Sequence, residues 1–124
     1  MVILDVVYNH FGLDGSYLSN YARAFYTDKH KTPWGDAINF DADFNEIVRE
    51  FFIGNALYWL DQYRFDGLRF DAAHAIKDDS ALDVMDELAM RIRAGFPKHH
   101  KHLILENENN VSSRLPPVGR FDAQ

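Results

Sequence analysis

The sequence contains no cysteine, so its 124 residues offer neither disulfide bonds nor thiolate ligands for a metal. Basic residues are outnumbered, with 13 lysines and arginines against 19 aspartates and glutamates, and the formal net charge is −6. This balance, without a cluster of basic residues, argues against a nucleic-acid partner. The apolar run MVILDVV is short and is interrupted by Asp5, which excludes it as a membrane span or a secretory signal.

These absences are compatible with a cytoplasmic protein, and the sequence gives no indication of a protein partner. Hydrophobic residues make up 47% of the chain and aromatic residues 15%, which is enough to bury a core. The composition therefore predicts a folded globular chain rather than a disordered one.

The order of apolar patterns along the chain predicts strands that alternate with helices. Apolar runs predict strands at 2–7, 65–71 and 102–107, and a loop without regular period fills 8–43. A first helix is expected to begin at the capping pattern DFNE, with Asp43 as N-cap, and a second helix extends from Ser80 and Asp83 to Gly95 and Pro97. This order is typical of βαβ units around a parallel sheet. Three such strands leave both sheet edges unpaired, so residues 1–124 are interpreted as one partial domain of a larger α/β protein.

Polar and titratable side chains follow each predicted strand, where parallel α/β proteins carry their chemistry. A single aspartate or histidine at such a place is more often a helix cap or a structural residue. The coincidence at three strand ends favours a functional site instead. The side chains concerned are Asn9, His10, Arg69, Asp71, His74 and Glu106.

Two of these side chains, Asp71 and Glu106, are carboxylates, and such a pair suits the hydrolysis of a glycosidic bond. One carboxylate attacks the anomeric carbon, while the other has a raised pKa and protonates the leaving oxygen. Arg69 beside Asp71 is expected to keep that aspartate ionised, as a nucleophile requires. Glu106 follows the apolar run LIL, so desolvation is expected to raise its pKa toward the range of a general acid.

Three short motifs resemble, in order and spacing, the first three signature regions of the α-amylase family, glycoside hydrolase family 13. They are DVVYNH at 5–10, GLRFD at 67–71 and the glutamate of LILEN at 103–107. Longer segments, such as TPWGDAINFD at 32–41, are similar to members that hydrolyse maltooligosyltrehalose, with glycogen branching enzymes next in similarity. The resemblance implies a fragment of a (β/α)8 TIM barrel covering about strands three to five. It also implies an α-glucan or maltooligosyltrehalose substrate and no cofactor.

The resemblance also implies a role for each matching residue. Asp71 corresponds to the nucleophile and Glu106 to the general acid and base. Arg69 would orient the nucleophile, and His10 would contact the sugar in subsite −1. His74 falls where family members touch the +1 side of the substrate.

Two further positions match residues that brace the site, namely Asp5 and Asn9. In some amylases the matching asparagine also binds calcium, although no metal is predicted here. The third catalytic carboxylate of the family, an aspartate, has no counterpart in this sequence. The last residues, FDAQ at 121–124, resemble the start of a further strand.

Aromatic residues are frequent in the segment 8–43, and most of them are expected to pack against one another within this loop. Trp34 lies between Pro33 and Gly35 and is predicted to be the exposed exception, a platform for a sugar ring. Trp59 lies on the apolar stripe of the first helix and is predicted to belong to the core.

Two other classes of function remain open at this point. A metal-dependent hydrolase on the same barrel would use His10, Asp71 and Glu106 as ligands, but the histidine pairs typical of such sites are absent. A non-catalytic relative of the barrel enzymes would typically have lost the nucleophile or the acid, and both are present.

Overall fold

The computed structural model describes residues 1–12 and 14–109, so the predicted strand start at 121–124 lies outside the described residues. Within them the chain forms a parallel sheet with two helices, and a separate hairpin. The elements are β1 (Ile3–Val6), β2 (Tyr26–Thr32), β3 (Gly35–Ile38), α1 (Asn45–Gln62), β4 (Gly67–Phe70), α2 (Val84–Gly95) and β5 (His102–Leu105). No helix in this part of the chain is long and apolar enough to cross a membrane.

The three predicted strands form one parallel sheet in the order β1-β4-β5, which confirms the expected alternation with helices. In the register, Asp5 lies beside Arg69, and Arg69 lies beside Ile104. Gly67 has to be a glycine, because a Cβ atom at this position would overlap the backbone of His102 on the neighbouring strand. The sheet therefore aligns the carboxyl ends of all three strands at one edge.

The two faces of the sheet differ sharply in character. Leu68 and Phe70 are fully buried, whereas Arg69 between them is half-exposed on the opposite face. The buried face packs against α1 and α2 through residues such as Ile53 and Leu88. Trp59, which was predicted to belong to the core, is partly buried and packs against it. The helices thus cover one face, and the charged face remains uncovered in the described chain.

Residues 8–43 contain more structure than the sequence pattern predicts. The strands β2 and β3 form an antiparallel hairpin, in which Thr32 pairs with Gly35. A signal for this turn is present, because proline at its second position and glycine at its fourth are typical of the commonest β-turn, as at Pro33 and Gly35. The prediction of an unbroken loop was therefore wrong in this segment.

The start of α1 also differs from the prediction, whereas the start of α2 agrees with it. Asp43 does not cap α1, since the helix begins at Asn45 and Phe44 adopts a left-handed conformation with φ of 63°. The turn before it is instead fixed by the buried side chain of Asn39, which accepts a hydrogen bond from the backbone N–H of Ala42. In α2, Asp83 is the N-cap, as predicted from its position before the apolar stripe.

A buried carboxylate links the hairpin to the loop that precedes α2. The side chain of Asp41 is only 2% exposed, and its Oδ2 atom lies 2.7 Å from Lys29 Nζ and 2.8 Å from His30 Nε2. The backbone N–H of Asp79 donates to the same oxygen at 2.8 Å. Burial alone would raise the pKa of Asp41, but the hydrogen bonds from Lys29 and His30 outweigh it and lower the pKa to about 2.

Acidification is expected to weaken folding through Asp41. Because the folded pKa of about 2 lies below the ordinary value of 3.8, this carboxylate stabilises the folded state fully above about pH 4. The contribution, about 2 kcal/mol, is lost as the pH falls through the folded pKa. Urea unfolding of the complete protein that carries this sequence, and of its Asp41→Asn variant, at about pH 5 and about pH 2 measures this contribution. The difference in unfolding free energy should shrink at the lower pH, and a constant difference would contradict the assignment.

Candidate active site

Arg69 lies among three carboxylates at the carboxyl end of the parallel sheet. Its Nη1 atom is 2.6 Å from Asp5 Oδ2 and 3.6 Å from Asp71 Oδ1, and its Nη2 atom is 3.1 Å from Glu106 Oε1. The sequence pattern indicated the pairing with Asp71, but the shortest contact is with Asp5. The parallel register explains this, because it places Asp5 directly beside Arg69. The hydrogen bond that Arg69 donates to Asp5 raises the pKa of Arg69, so the guanidinium stays charged.

The backbone ladder extends beyond the strands and sets the two candidate catalytic carboxylates side by side. The N–H of Asp71 donates to the carbonyl of Val6 at 3.0 Å, and the N–H of Glu106 donates to the carbonyl of Phe70 at 3.1 Å. Asp71 and Glu106 therefore follow adjacent parallel strands at the same edge. Both side chains also contact the same guanidinium, that of Arg69.

Ala72 connects this carboxylate pair to the segment that follows β1. Its backbone is left-handed, with φ of 43° and ψ of 47°, a conformation that a non-glycine residue rarely adopts. In this conformation its N–H donates to Glu106 Oε2 at 2.9 Å, and its carbonyl accepts from Asn9 Nδ2 at 3.3 Å. Sequence reasoning did not single out Ala72, because nothing in its side chain suggests a role.

The expectation of a raised pKa for Glu106 was wrong for this chain. The backbone N–H of Ala72 and the charge of Arg69 lower the pKa of Glu106, and together they outweigh the opposing effect of desolvation. The side chain is 42% exposed, so the apolar run LIL before it does not remove it from water. Glu106 is consequently ionised near neutral pH in the described chain.

His10 is held between Asn9 and Trp34. Its Nδ1 atom lies 2.8 Å from Asn9 Oδ1, and its ring is stacked on the indole of Trp34 with centroids 4.2 Å apart and planes 10° apart. Trp34 is half-buried in this contact. The exposure predicted for Trp34 is therefore only partial, because one face of the indole covers a histidine ring, and its role as a platform for a sugar ring stays a prediction.

His74 lies in the short turn Ala73–Ala75, beyond the carboxylate pair. Its Nε2 atom is 3.8 Å from Glu108 Oε2, a contact that sequence reasoning did not identify. Its Nδ1 atom is buried without a hydrogen-bond partner among the described residues. The structure thus brings Asp5, Asp71 and Glu106 into contact with Arg69. It connects His10 to them through Asn9 and Ala72.

The geometry does not favour a metal at this site. The side-chain oxygen of Asn9 faces His10 and its nitrogen donates to the carbonyl of Ala72, so both ends of this amide are already engaged with protein groups. Between Asp71 and Glu106, the guanidinium of Arg69 supplies the positive charge. In the described part of the chain, a cluster of metal-ligating side chains occurs elsewhere, at His30, Asp41 and Asp79, where Lys29 already neutralises Asp41.

Comparison with known proteins gives named relatives. No protein-family model matches the chain. Malto-oligosyltrehalose trehalohydrolase of Arthrobacter ramosus is 44% identical over 129 aligned residues, which cover 99% of this chain and 22% of the relative. The enzyme of the same name from Saccharolobus solfataricus is 39% identical over 109 residues, which cover 88% of this chain and 18% of the relative. A 1,4-α-glucan branching enzyme of Chlamydia abortus is 42% identical over 76 residues, or 57% of this chain and 10% of the relative.

Solved structures agree with these relatives. A Salmonella typhimurium protein assigned to the α-amylases matches 93% of this chain and 19% of its own, with 44% identity and a TM-score of 0.84. The type I pullulanase of Bacillus subtilis, solved with maltose, matches 79% of this chain and 14% of its own, with 25% identity and a TM-score of 0.57. The chain spans about a fifth of the length of the curated trehalohydrolases that it matches.

The parallel strands and the carboxylates at their ends, together with these matches, define the chain as a relative of the glycoside hydrolases of the α-amylase family. The resemblance indicated by the sequence motifs is thereby confirmed. Over most of its own length the chain is similar to proteins named malto-oligosyltrehalose trehalohydrolase.

Proposed function

We propose that residues 1–124 are part of the catalytic (β/α)8 barrel of a cytoplasmic, retaining glycoside hydrolase that acts on α-glucans. In this proposal β1, β4 and β5 are strands three, four and five of the barrel. The observation that carries the proposal is the contact of Arg69 with Asp5, Asp71 and Glu106 at one edge of the sheet. Active sites of such barrels lie at this edge.

The chemistry divides between the two carboxylates. Asp71 attacks the anomeric carbon and forms a glycosyl ester, while Glu106 gives a proton to the leaving oxygen. Water then attacks the anomeric carbon of this ester, and Glu106 takes a proton from the water. The carboxylate of Asp71 is released as the leaving group. Retaining enzymes need carboxyl groups about 5–5.5 Å apart. The contact of both carboxylates with the one guanidinium of Arg69 supports this closer spacing.

Glu106 can serve as the acid only if its pKa rises when the site is complete. In the described chain the ionised form is favoured and the side chain is half-exposed. Further barrel strands and a bound sugar would exclude water and disfavour the charged form. The ionised form suits the second half of the reaction, in which Glu106 is the base.

The substrate that we propose is maltooligosyltrehalose, cleaved at the α-1,4 bond next to the trehalose end. The names of the relatives that cover 88% and 99% of the chain support this choice. The alternative is a 1,4-α-glucan branching enzyme, supported by the shorter match to the Chlamydia abortus protein.

Product analysis separates these two functions. The complete enzyme that carries this sequence is expected to release trehalose from maltotriosyltrehalose and to leave amylose unbranched. Chromatography of the products detects the trehalose, and proton NMR of treated amylose detects α-1,6 bonds. New α-1,6 bonds without trehalose release would assign the chain to the branching enzymes instead.

A further inference from the structure

The two ring nitrogens of His10 differ in their surroundings, and one of them faces the substrate of the proposed function, on which this inference rests. We infer that Asn9 is a positioning residue that holds the neutral ring of His10 with its hydrogen on Nδ1. The Nε2 atom is then a hydrogen-bond acceptor, suited to a substrate hydroxyl that donates. This assignment follows from the hydrogen-bond chemistry of three neighbouring groups.

The first step fixes the orientation of the Asn9 amide. Asn9 is buried, and one end of its amide lies 3.3 Å from the carbonyl oxygen of Ala72. A carbonyl oxygen can only accept, so the NH2 group of Asn9 must face it. The opposite orientation would bring two acceptors together inside the protein, at the cost of a buried unsatisfied oxygen.

The second step fixes the tautomer of His10. With the NH2 group turned to Ala72, the Oδ1 atom of Asn9 faces His10 Nδ1 at 2.8 Å. This oxygen can only accept, so Nδ1 must carry the hydrogen. In the neutral ring Nε2 then carries none, and no described residue forms a hydrogen bond with it.

Trp34 completes the arrangement from the face of the ring. The stacked indole of Trp34, with planes 10° apart, fixes the plane of the imidazole. Asn9 fixes the rotation of the ring within that plane, because its oxygen binds the Nδ1 edge. The carbonyl that orients Asn9 belongs to Ala72, whose N–H contacts Glu106. The tautomer of His10 is therefore set through the same residue, Ala72, whose N–H contacts the proposed general acid.

Nitrogen NMR of the complete enzyme, labelled with 15N-histidine, tests the inference without any measurement of activity. At a pH where the ring is neutral, a long-range proton–nitrogen spectrum distinguishes the nitrogen that bears hydrogen from the bare one. His10→Gln identifies the His10 signals by their disappearance. A bare Nε2 and a hydrogen-bearing Nδ1 are expected, and the reverse pattern in the wild type would overturn the inference.

Asn9→Leu removes the acceptor and should move the His10 signals toward the tautomer with hydrogen on Nε2. It should also lower kcat/KM roughly tenfold, the usual effect of one misdirected hydrogen bond. Asn39→Leu is the matched control, since Asn39 is equally buried and bonds only to backbone groups away from His10. It should reduce stability but leave the His10 signals unchanged.

Two further results complete the test. Asn9→Ala also removes the acceptor but adds no bulk, so it replaces Asn9→Leu if that variant fails to fold and should move the His10 signals in the same direction. Unchanged His10 signals in Asn9→Leu would overturn the inference. A wild-type enzyme without activity on α-glucans would instead reject the proposed function and would leave the tautomer measurement valid.

Discussion

Replacing Asp71 by asparagine in the complete enzyme is expected to lower kcat by a factor on the order of 10⁴ or more. The amide keeps the size of the carboxylate but cannot form the glycosyl ester, so the first covalent step is lost. Asp71 is only half-buried, and its contact with Arg69 is the longest of the three at 3.6 Å, so folding should change little. Initial rates on maltooligosyltrehalose, with thermal unfolding measured in parallel, check both statements.

Asp5→Asn is the matched control for this variant. Asp5 makes the shortest contact with Arg69, at 2.6 Å, but in the proposed mechanism it does not touch the substrate. We expect a loss of roughly tenfold, because Arg69 is held less firmly while the nucleophile remains. A mechanism-based glycosyl inhibitor should label Asp71 in the wild type and in Asp5→Asn. Activity of Asp71→Asn within tenfold of the wild type, or a label on another residue, would refute the role of Asp71.

The parts of the fold that repeat a simple period were predictable from the sequence. Apolar runs gave the three parallel strands, and their order along the chain placed Asp71 and Glu106 at one edge. Asp83 was also found, because capping residues stand at fixed positions before an apolar stripe. These features depend on local chemistry or on the shared direction of parallel strands.

The details that depend on register and long-range contact were not predictable in this way. The contact of Arg69 with Asp5 joins residues 64 positions apart and follows from strand register, which no single segment encodes. The buried Arg49 binds Asp78 and Glu87, as well as the carbonyl of Phe40, yet it reads in the sequence as one more polar helix residue. The lowered pKa of Glu106 likewise depends on the left-handed backbone of a neighbouring alanine.

The 124-residue chain by itself is expected to have no measurable glycosidase activity. β1 and β5 are the edges of a three-stranded sheet, so each leaves backbone groups without a neighbouring strand in the described chain. The face that would line the barrel is uncovered, and Ile104 on it is 46% exposed. Glu106 has a lowered pKa rather than the raised one that a general acid requires.

The expected loss of glycosidase activity follows from the unpaired strands, the uncovered face and the lowered pKa of Glu106, together with a missing catalytic group. The resemblance to the α-amylase family implies a third carboxylate that this sequence does not supply, and losing one preorganised group commonly lowers the rate by a factor of about 10²–10³. The purified chain is therefore expected to aggregate or to unfold without a cooperative transition, and to release no trehalose from maltooligosyltrehalose. The complete enzyme, assayed at equal molar concentration, is the control. A monomeric 124-residue chain that unfolds cooperatively and turns over substrate, with turnover abolished by Asp71→Ala, would contradict the interpretation as part of a larger barrel.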